Sequence, residues 1–251
     1  MRQLDYPKVL ESISAFIRDY AASSGFEKYI LGISGGIDSA LSAALAVHAM
    51  GAENVIGIMM PHSISNANSL KDGLTLCESL GIAHQIIDIS PICDPWFQRE
   101  QPEPDFLRKG NFMARVRMCI LYDLSSKYKA LVLGTGNLSE IMTGYFTQFG
   151  DAACAIEPLG QLYKTEVYEL AKYMKLPQAI LDKVPSADLW AGQSDEAELG
   201  ISYPDLDKIL YAIQYMQDTD ALDAEQVKLV YKLISRSQYK RILPLVPEPP
   251  C

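Results

Sequence analysis

The sequence predicts an α/β protein with a doubly wound parallel sheet and a helical C-terminal tail. Short apolar runs rich in β-branched residues, at 29–33, 54–60 and 84–89, have the composition of buried strands. Segments of helical length separate them, and glycine or proline ends most of these elements. This alternation is typical of a sheet with helices on both faces, which binds ligands at the carboxyl ends of its strands.

The helices of the first half follow from composition and periodicity. An amphipathic pattern predicts a helix at 4–25. The stretch 41–50 is almost wholly apolar and small, as expected of a helix buried against a sheet. A third helix, with Ser65 as its N-cap, is predicted to end at Leu80, because Gly81 follows.

Two segments of the second half interrupt the regular pattern. The remaining predicted elements are a helix at 112–128, a strand at 131–133, a helix at 164–175 and a helical tail ending in proline-rich coil. Residues 90–111 contain four prolines, and residues 185–200 combine glycine with several acids. Long irregular segments in a compact domain are often lids over a site, so we expect lids here, with a disordered insertion as the alternative for 90–111.

The composition argues against several classes of protein. With 49% hydrophobic and 21% charged residues, the chain has the balance of a globular protein, and we expect a single domain over 1–251. No apolar stretch reaches the roughly 20 residues of a membrane span and no signal peptide is visible, so we expect a cytoplasmic protein without a membrane partner. A net charge of −9 opposes binding to nucleic acid. Five cysteines without a Cys-x-x-Cys pair predict neither a zinc site nor a disulfide framework.

The loop after the first strand has the features of a phosphate-binding turn. It consists of Gly32, Ile33, Ser34, Gly35, Gly36, Ile37, Asp38 and Ser39. Glycines let backbone N–H groups approach an anion, and the following helix adds the positive end of its dipole. Asp38 supplies a carboxylate for a magnesium ion that bridges phosphates. No lysine follows the glycines, as it would in the common Gly-x-x-x-x-Gly-Lys loop. The alternative is an ordinary strand–turn–helix corner.

Five stretches, in this order and spacing, resemble NAD synthetase, in its ammonia-dependent, stand-alone form. They are Ser-Gly-Gly-Ile-Asp-Ser at 34–39, Asn-Phe-Met-Ala-Arg-Val-Arg-Met at 111–118, Gly-Thr-Gly-Asn-Leu-Ser-Glu at 134–140, Phe-Thr-Gln-Phe-Gly-Asp at 146–151 and Lys-Val-Pro-Ser-Ala-Asp-Leu at 183–189. The first stretch alone resembles only the pyrophosphate loop of the ATP pyrophosphatase superfamily. The resemblance implies a Rossmann-like, adenine nucleotide alpha hydrolase-like fold and a ligase that completes NAD biosynthesis.

The implied reaction is the ATP-dependent amidation of deamido-NAD to NAD. The nicotinate carboxylate would attack the α-phosphorus of ATP, pyrophosphate would leave, and ammonia would then displace AMP. Negative charge builds up on the phosphates, so such a site needs magnesium and cations. By resemblance, Asp38 and Glu140 match the magnesium ligands and Lys164 the phosphate-binding lysine, which we also regard as catalytic. Thr135 and Ser186 match hydroxyls that contact ATP.

Other matched residues belong to the deamido-NAD and ammonia sites. Arg115 matches a residue that contacts deamido-NAD, and Asp151 an aspartate beside the ammonia site. Two positions depart from the family pattern, because many synthetases have lysine at Gln148 and aspartate at Ala155. Lys240, or its neighbour Arg241, would then compensate in binding the nicotinate half.

The resemblance also implies partners. We expect a homodimer with deamido-NAD near the subunit interface, and free ammonia as nitrogen donor. Glutamine-using relatives carry a separate nitrilase-like domain, for which too little chain remains here, although a separate glutamine amidotransferase could deliver ammonia. The alternatives are another adenylating ATP pyrophosphatase, tRNA-modifying or GMP-forming, and a nucleotide-binding sensor without turnover.

Overall fold

The direction in which strands are added to the sheet reverses between the strands that come first and last along the chain. A computed structural model describes residues 2–99, 105–186 and 192–247. The described strands are β1 (Lys28–Gly32), β2 (Val55–Met59), β3 (Ala83–Ile86) and β4 (Ala130–Val132). They are parallel and lie in the order β3-β2-β1-β4. The chain moves outward from β1 to β3 and then crosses back to β4, so the loops after β1 and β4 leave the sheet side by side.

Helices cover both faces of this sheet. The described helices are α1 (Tyr6–Ser24), α2 (Ile37–Met50), α3 (Ala67–Leu80), α4 (Ser90–Arg99), α5 (Phe106–Tyr128), α6 (Leu138–Thr143), α7 (Lys164–Tyr173), α8 (Gln178–Leu181), α9 (Asp195–Leu199), α10 (Tyr203–Gln214) and α11 (Ala224–Ser237). Successive residues of a strand face opposite sides. Tyr29 and Leu31 are buried in a core with residues of α1 and α2, whereas Ile30 lies in a second core with residues of α4 and α5. The predicted doubly wound α/β fold is therefore confirmed.

The helical C-terminal tail is also confirmed. It comprises α10, α11 and a 3₁₀ turn, Gln238–Arg241. Leu206 of α10 and Leu233 of α11 are buried in a third core together with Tyr163, the residue before α7. The tail thus packs against the elements that follow β4.

The N-terminal part of the segment 90–111 is helical, so the predicted irregular loop is wrong there. The Asp88 carboxylate accepts a hydrogen bond from the Ser90 N–H at 2.8 Å, which satisfies a donor in the first turn of α4. The Trp96 ring on α4 stacks on Phe112 of α5, with centroids 6.2 Å apart. This packing stabilises a helix that its prolines argue against.

Helix α5 begins at Phe106 rather than at residue 112 as predicted. The Asp105 carboxylate accepts the Arg108 N–H at 2.7 Å and caps the added turns. Residues 100–104, with two of the prolines, lie outside the described ranges. A lid function for this segment stays a prediction.

The predicted N-cap of α3 is one residue too early. Asn66 caps this helix, and its side-chain oxygen accepts the Asn68 N–H at 2.9 Å. The Ser65 hydroxyl instead accepts the His62 N–H at 3.2 Å and closes the preceding turn. Asn is as good an N-cap as Ser, so composition alone could not separate the two positions.

The second predicted lid, 185–200, is described only in part. Residues 187–191 lie outside the described ranges, and residues 195–199 form α9. Its closure over a site stays a prediction, as does the single domain over 1–251. No helix in the described part of the chain is both long enough and apolar enough to cross a membrane.

Candidate active site

A cavity of about 1150 Å³ opens where the loops after β1 and β4 leave the sheet. Of the predicted site residues, its walls include Gly32, Ile33, Ser34, Gly36, Ile37, Asp38, Ser39, Arg115, Thr135, Glu140, Asp151, Lys164, Ser186 and Lys240. Gly35 packs against Ser69 of α3, where an added Cβ would collide with the Ser69 backbone. The structure therefore gathers predicted residues from distant parts of the sequence around one space.

Two serines hold the backbone of the phosphate loop, residues 34–39, in shape. Ser39 Oγ donates to the Gly36 carbonyl at 3.0 Å and accepts the Ser34 N–H at 3.2 Å. Ser34 Oγ accepts the Gly36 N–H at 3.2 Å. Gly35 has a φ of +75°, in the left-handed region that favours glycine. The result is a compact turn at the N-terminus of α2, where backbone N–H groups favour an anion.

A buried lysine lies between two carboxylates beside this loop. Lys164 Nζ is 2.5 Å from Asp38 Oδ2 and 3.1 Å from Glu140 Oε1. The lysine is only 2% exposed. Asn137 Nδ2 donates to the other Asp38 oxygen at 2.8 Å. Residues from α2, α6 and α7 thus form one charged centre.

Each charge of this centre depends on its partners. Burial on its own lowers the pKa of Lys164, but the charges of Asp38 and Glu140 outweigh it, and the pKa lies above its ordinary value. Burial raises the pKa of Glu140, an effect that Lys164 opposes. The ammonium is therefore protonated at neutral pH, and removing Lys164 would leave two buried carboxylates without their cation.

Two buried residues that the sequence did not single out, Ser139 and Asp207, hold the backbone of Lys164. The Lys164 N–H donates to Ser139 Oγ at 2.9 Å, and the Ser139 hydroxyl donates to Asp207 Oδ1. The second Asp207 oxygen accepts the Thr165 N–H at 2.8 Å. Both residues have no exposed surface. The available signal was weak: Ser139 is next to Glu140, and Asp207 is an acid among the apolar residues of α10.

Hydrogen bonds connect the stretch 146–151 to α5. Thr147 Oγ1 donates to Asn111 Oδ1 at 2.8 Å, and the Thr147 N–H donates to Asp151 Oδ1 at 3.0 Å. Arg115 donates through Nε and Nη2 to the Gln148 carbonyl, at 3.3 and 3.2 Å. Two of the sequence motifs are thus joined directly, which places Arg115 and Asp151 on the same side of the cavity.

Lys240 reaches the same segment from the C-terminal tail. Its Nζ donates to the carbonyls of Gly144 and Phe146, each at 2.8 Å. Arg241 donates to the carbonyl of Met142 at 2.8 Å, near the end of α6. These contacts tie the tail to the cavity wall. A direct role of Lys240 in binding substrate stays a prediction.

Two further acids line the cavity close to the charged centre. The Tyr145 hydroxyl lies 3.1 Å from Asp195 Oδ1 and 3.0 Å from Glu198 Oε2. One hydroxyl hydrogen can be donated to only one of these carboxylates at a time. Burial raises the pKa of Asp195, which Lys164 opposes. The sequence indicated these acids only as part of a predicted lid.

Glu157 supports the loop that carries Thr135. Its Oε2 accepts the Gly136 N–H at 2.8 Å. A Cβ on Gly134 would collide with this carboxylate, so the glycine permits its close approach. Burial raises the pKa of Glu157 to about 7. The sequence did not indicate this residue, because its partner is a backbone group distant in sequence.

Asp38 and Glu140 suit magnesium by their chemistry. Mg²⁺ prefers oxygen ligands and is usually held by one or two carboxylates together with substrate phosphates. Within the described ranges, no cluster of three or more His, Cys, Asp or Glu side chains could hold a metal. A metal at this pair would therefore depend on oxygens from a bound nucleotide, and Lys164 now lies between the two carboxylates.

The family model, the related sequences and the similar structures all point to the same protein family. The model of the NAD synthase family matches residues 9–244. An NH(3)-dependent NAD(+) synthetase from Fusobacterium nucleatum is 44% identical over 97% of this chain and 96% of its own. A structure of NMN synthetase from Francisella tularensis has a TM-score of 0.90 and 36% identity, covering 98% of this chain and 99% of that one. An NH3-dependent NAD synthetase from Campylobacter jejuni has a TM-score of 0.86 and 35% identity, covering 98% and 100%.

The raised pKa of Glu157 predicts a pH-dependent contribution to stability. The folded protein keeps a proton on Glu157 that the unfolded chain releases between pH 4.5 and about 7. The stability from this proton is complete below pH 4.5 and is lost as pH rises through about 7. Glu157→Gln is uncharged and still offers an oxygen to Gly136. Its free energy of unfolding should therefore fall less than that of the wild type from pH 4.5 to 8, by on the order of 3 kcal/mol.

Urea unfolding at several pH values measures this difference. Glu78→Gln, at an exposed position of α3, is the matched control and should follow the wild type. Parallel pH profiles for the wild type and Glu157→Gln would show that Glu157 does not retain its proton.

Proposed function

The chain belongs to the NAD synthase family, and from that premise we propose that it is a ligase that converts deamido-NAD to NAD with ATP and ammonia. The observation that carries this proposal is the position of Lys164 between Asp38 and Glu140, beside the phosphate loop. Fixed charges of this kind stabilise a reaction in which negative charge moves between phosphate groups.

The first step activates the carboxylate of deamido-NAD. One of its oxygens forms a bond to the α-phosphorus of ATP, and the bond from that phosphorus to the oxygen bridging to the β-phosphorus breaks. The electron pair leaves with pyrophosphate. The phosphate loop and the N-terminus of α2 offer N–H donors to the departing group, and the Lys164 ammonium adds a positive charge that water does not screen.

The second step forms the amide. Ammonia attacks the acyl carbon of the adenylate, and the bond from that carbon to the phosphate oxygen breaks to release AMP. The attacking nitrogen must lose protons. Asp151, on the cavity wall, is our candidate for attracting ammonium and accepting a proton.

Magnesium would be held by Asp38 and Glu140. When bound there, it would supply positive charge to the phosphates and so promote departure of pyrophosphate. Thr135 and Ser186, also on the cavity wall, are our candidates for hydroxyl contacts with ATP.

Nicotinate mononucleotide is a second candidate substrate. Its amidation would give NMN by the same two steps, and the similar Francisella tularensis structure is described as an NMN synthetase. The Gln148 side chain, at a position where many synthetases have lysine, donates to the Tyr239 carbonyl at 3.4 Å. This side chain therefore contacts the C-terminal tail, and Arg115 remains our candidate for contacting the nicotinate substrate.

We also propose that the chain forms a homodimer. Exposed aromatic residues on the first and fifth helices offer an apolar surface for a second copy: Phe16 is 47%, Tyr20 36% and Tyr122 42% exposed. Aromatic side chains are enriched in protein interfaces.

The primary test is product analysis with ATP, Mg²⁺, ammonium and deamido-NAD. We expect NAD, AMP and pyrophosphate in equal amounts. Asp38→Asn should lower kcat by about a hundredfold or more, because magnesium would lose a carboxylate ligand and Lys164 would lose its ion-pair partner where the phosphates bind. Asp220→Asn, an exposed residue between α10 and α11, is the matched control and should behave as the wild type.

Two outcomes would contradict this function. Formation of ADP instead of AMP would exclude the adenylate, and full activity of Asp38→Asn would exclude the charged centre. Parallel assays with nicotinate mononucleotide decide the substrate. We expect a higher kcat/KM for deamido-NAD, and the reverse order would identify an NMN-forming enzyme.

Ammonia, rather than glutamine, is the expected nitrogen donor. Releasing ammonia from glutamine requires a reactive thiolate. Burial raises the pKa of Cys77 and of Cys93 to about 11, and it also raises the pKa of Cys154. These thiols therefore stay protonated at neutral pH. With ammonium-free glutamine as the only nitrogen source, NAD formation should be at least about a hundredfold slower than with ammonium.

Adding a separate glutaminase is the control, because it should restore the rate with glutamine. Comparable rates with glutamine and ammonium for the isolated chain would show that it contains its own amidotransferase site. Glutamine use that requires a second protein would indicate a separate amidotransferase partner.

A further inference from the structure

Lys183 connects three elements around the phosphate loop. Its Nζ donates to the Gly35 carbonyl at 3.1 Å and to Ser69 Oγ at 2.9 Å. The same nitrogen lies 3.6 Å from Asp72 Oδ2. Gly35 belongs to the phosphate loop, Ser69 and Asp72 belong to α3, and Lys183 itself follows α8.

These contacts determine the orientation of one peptide group. In a trans peptide, the carbonyl of one residue and the N–H of the next point in opposite directions. Because the Gly35 carbonyl faces Lys183, the Gly36 N–H faces the other way, toward Ser34 Oγ, which accepts it at 3.2 Å. Ser34 and Gly36 both line the cavity. The Lys183 ammonium, which lines the same cavity, thus holds the Gly35 carbonyl and keeps the Gly36 N–H pointing away from itself, toward Ser34.

The residues around the Gly35–Gly36 peptide restrict its orientation. The φ of +75° at Gly35 and the close backbone of Ser69 define the turn from the α3 side. If the Gly35–Gly36 peptide rotated, its carbonyl would point toward the bound phosphates and repel them. A positive charge at that carbonyl opposes the rotation, because a hydrogen bond from an ionised donor is stronger than one between neutral groups.

We propose that Lys183 is a positioning residue that keeps the Gly35–Gly36 peptide oriented to bind the pyrophosphate end of ATP. The inference rests on the proposed function, because it takes ATP as the ligand of this loop. Lys183 acts through the loop, whereas Lys164 lies in the charged centre itself. Ser186 follows it by three residues, so the same contact also anchors the start of the chain that brings Ser186 to the cavity wall.

The test is binding of Mg²⁺-pyrophosphate to the full chain, measured by calorimetry. Lys183→Met should raise the Kd by about tenfold, because the variant loses a charge-assisted hydrogen bond to the loop. The KM for ATP should rise similarly, whereas the KM for deamido-NAD should not change. Lys183→Arg, which can still donate to the Gly35 carbonyl, should recover most of the affinity. Amide hydrogen exchange of residues 33–39 should be faster in Lys183→Met than in the wild type.

Asp72→Asn distinguishes the contact of Lys183 with the Gly35 carbonyl from its ion pair with Asp72. It removes the carboxylate but keeps Lys183 on the Gly35 carbonyl, so pyrophosphate affinity should stay within about twofold of the wild type. Equal weakening in Asp72→Asn and Lys183→Met would overturn the proposal, as would unchanged pyrophosphate affinity in Lys183→Met. A wild-type chain that binds ATP and pyrophosphate but forms no amide would contradict the proposed function alone. A wild-type chain that binds neither would contradict both.

Discussion

A buried ammonium between two carboxylates is the interaction on which the rest of this structure depends. Lys164, Asp38 and Glu140 come from three different helices. Removing Lys164 from this centre would cost about 3–5 kcal/mol, because its two buried carboxylates would be left without their cation. Asp38 and Glu140 lie on α2 and α6, which follow the neighbouring strands β1 and β4. The order of the strands therefore brings the two carboxylates of the charged centre close together.

Several polar contacts hold this centre in place. Asn137, fully buried, caps α6 by accepting the Glu140 N–H at 3.1 Å and also donates to Asp38. In the first turn of α7, Glu166 pairs with Arg2 at 2.8 Å and accepts the Tyr163 N–H at 3.0 Å, just before Lys164. Two of these four contacts are made by backbone N–H groups at the starts of α6 and α7, so they fix where these helices begin.

Local features made the fold and part of the site predictable. Strand and helix periods revealed the doubly wound sheet, and a loop of glycine, serine and aspartate after a strand indicated a phosphate site. Contacts between distant residues were not predictable in the same way. Asp207 acts on the distant backbone N–H of Thr165, and no pattern in the sequence around it indicates this contact. Lys183 begins the motif at 183–189, but the motif does not indicate that the lysine contacts the Gly35 carbonyl. The prolines of α4 argue against a helix. The sequence does not show the Asp88 contact and the packing of Trp96 on α5 that stabilise it.

Transfer of an oxygen isotope tests the proposed chemistry most directly. Deamido-NAD carrying ¹⁸O in its nicotinate carboxylate would be converted with unlabelled ATP and ammonium, and the products would be analysed by mass spectrometry. If that carboxylate attacks the α-phosphorus in the cavity around Lys164, one ¹⁸O must appear in AMP and none in pyrophosphate. Unlabelled AMP, or label in pyrophosphate, would contradict an acyl-adenylate.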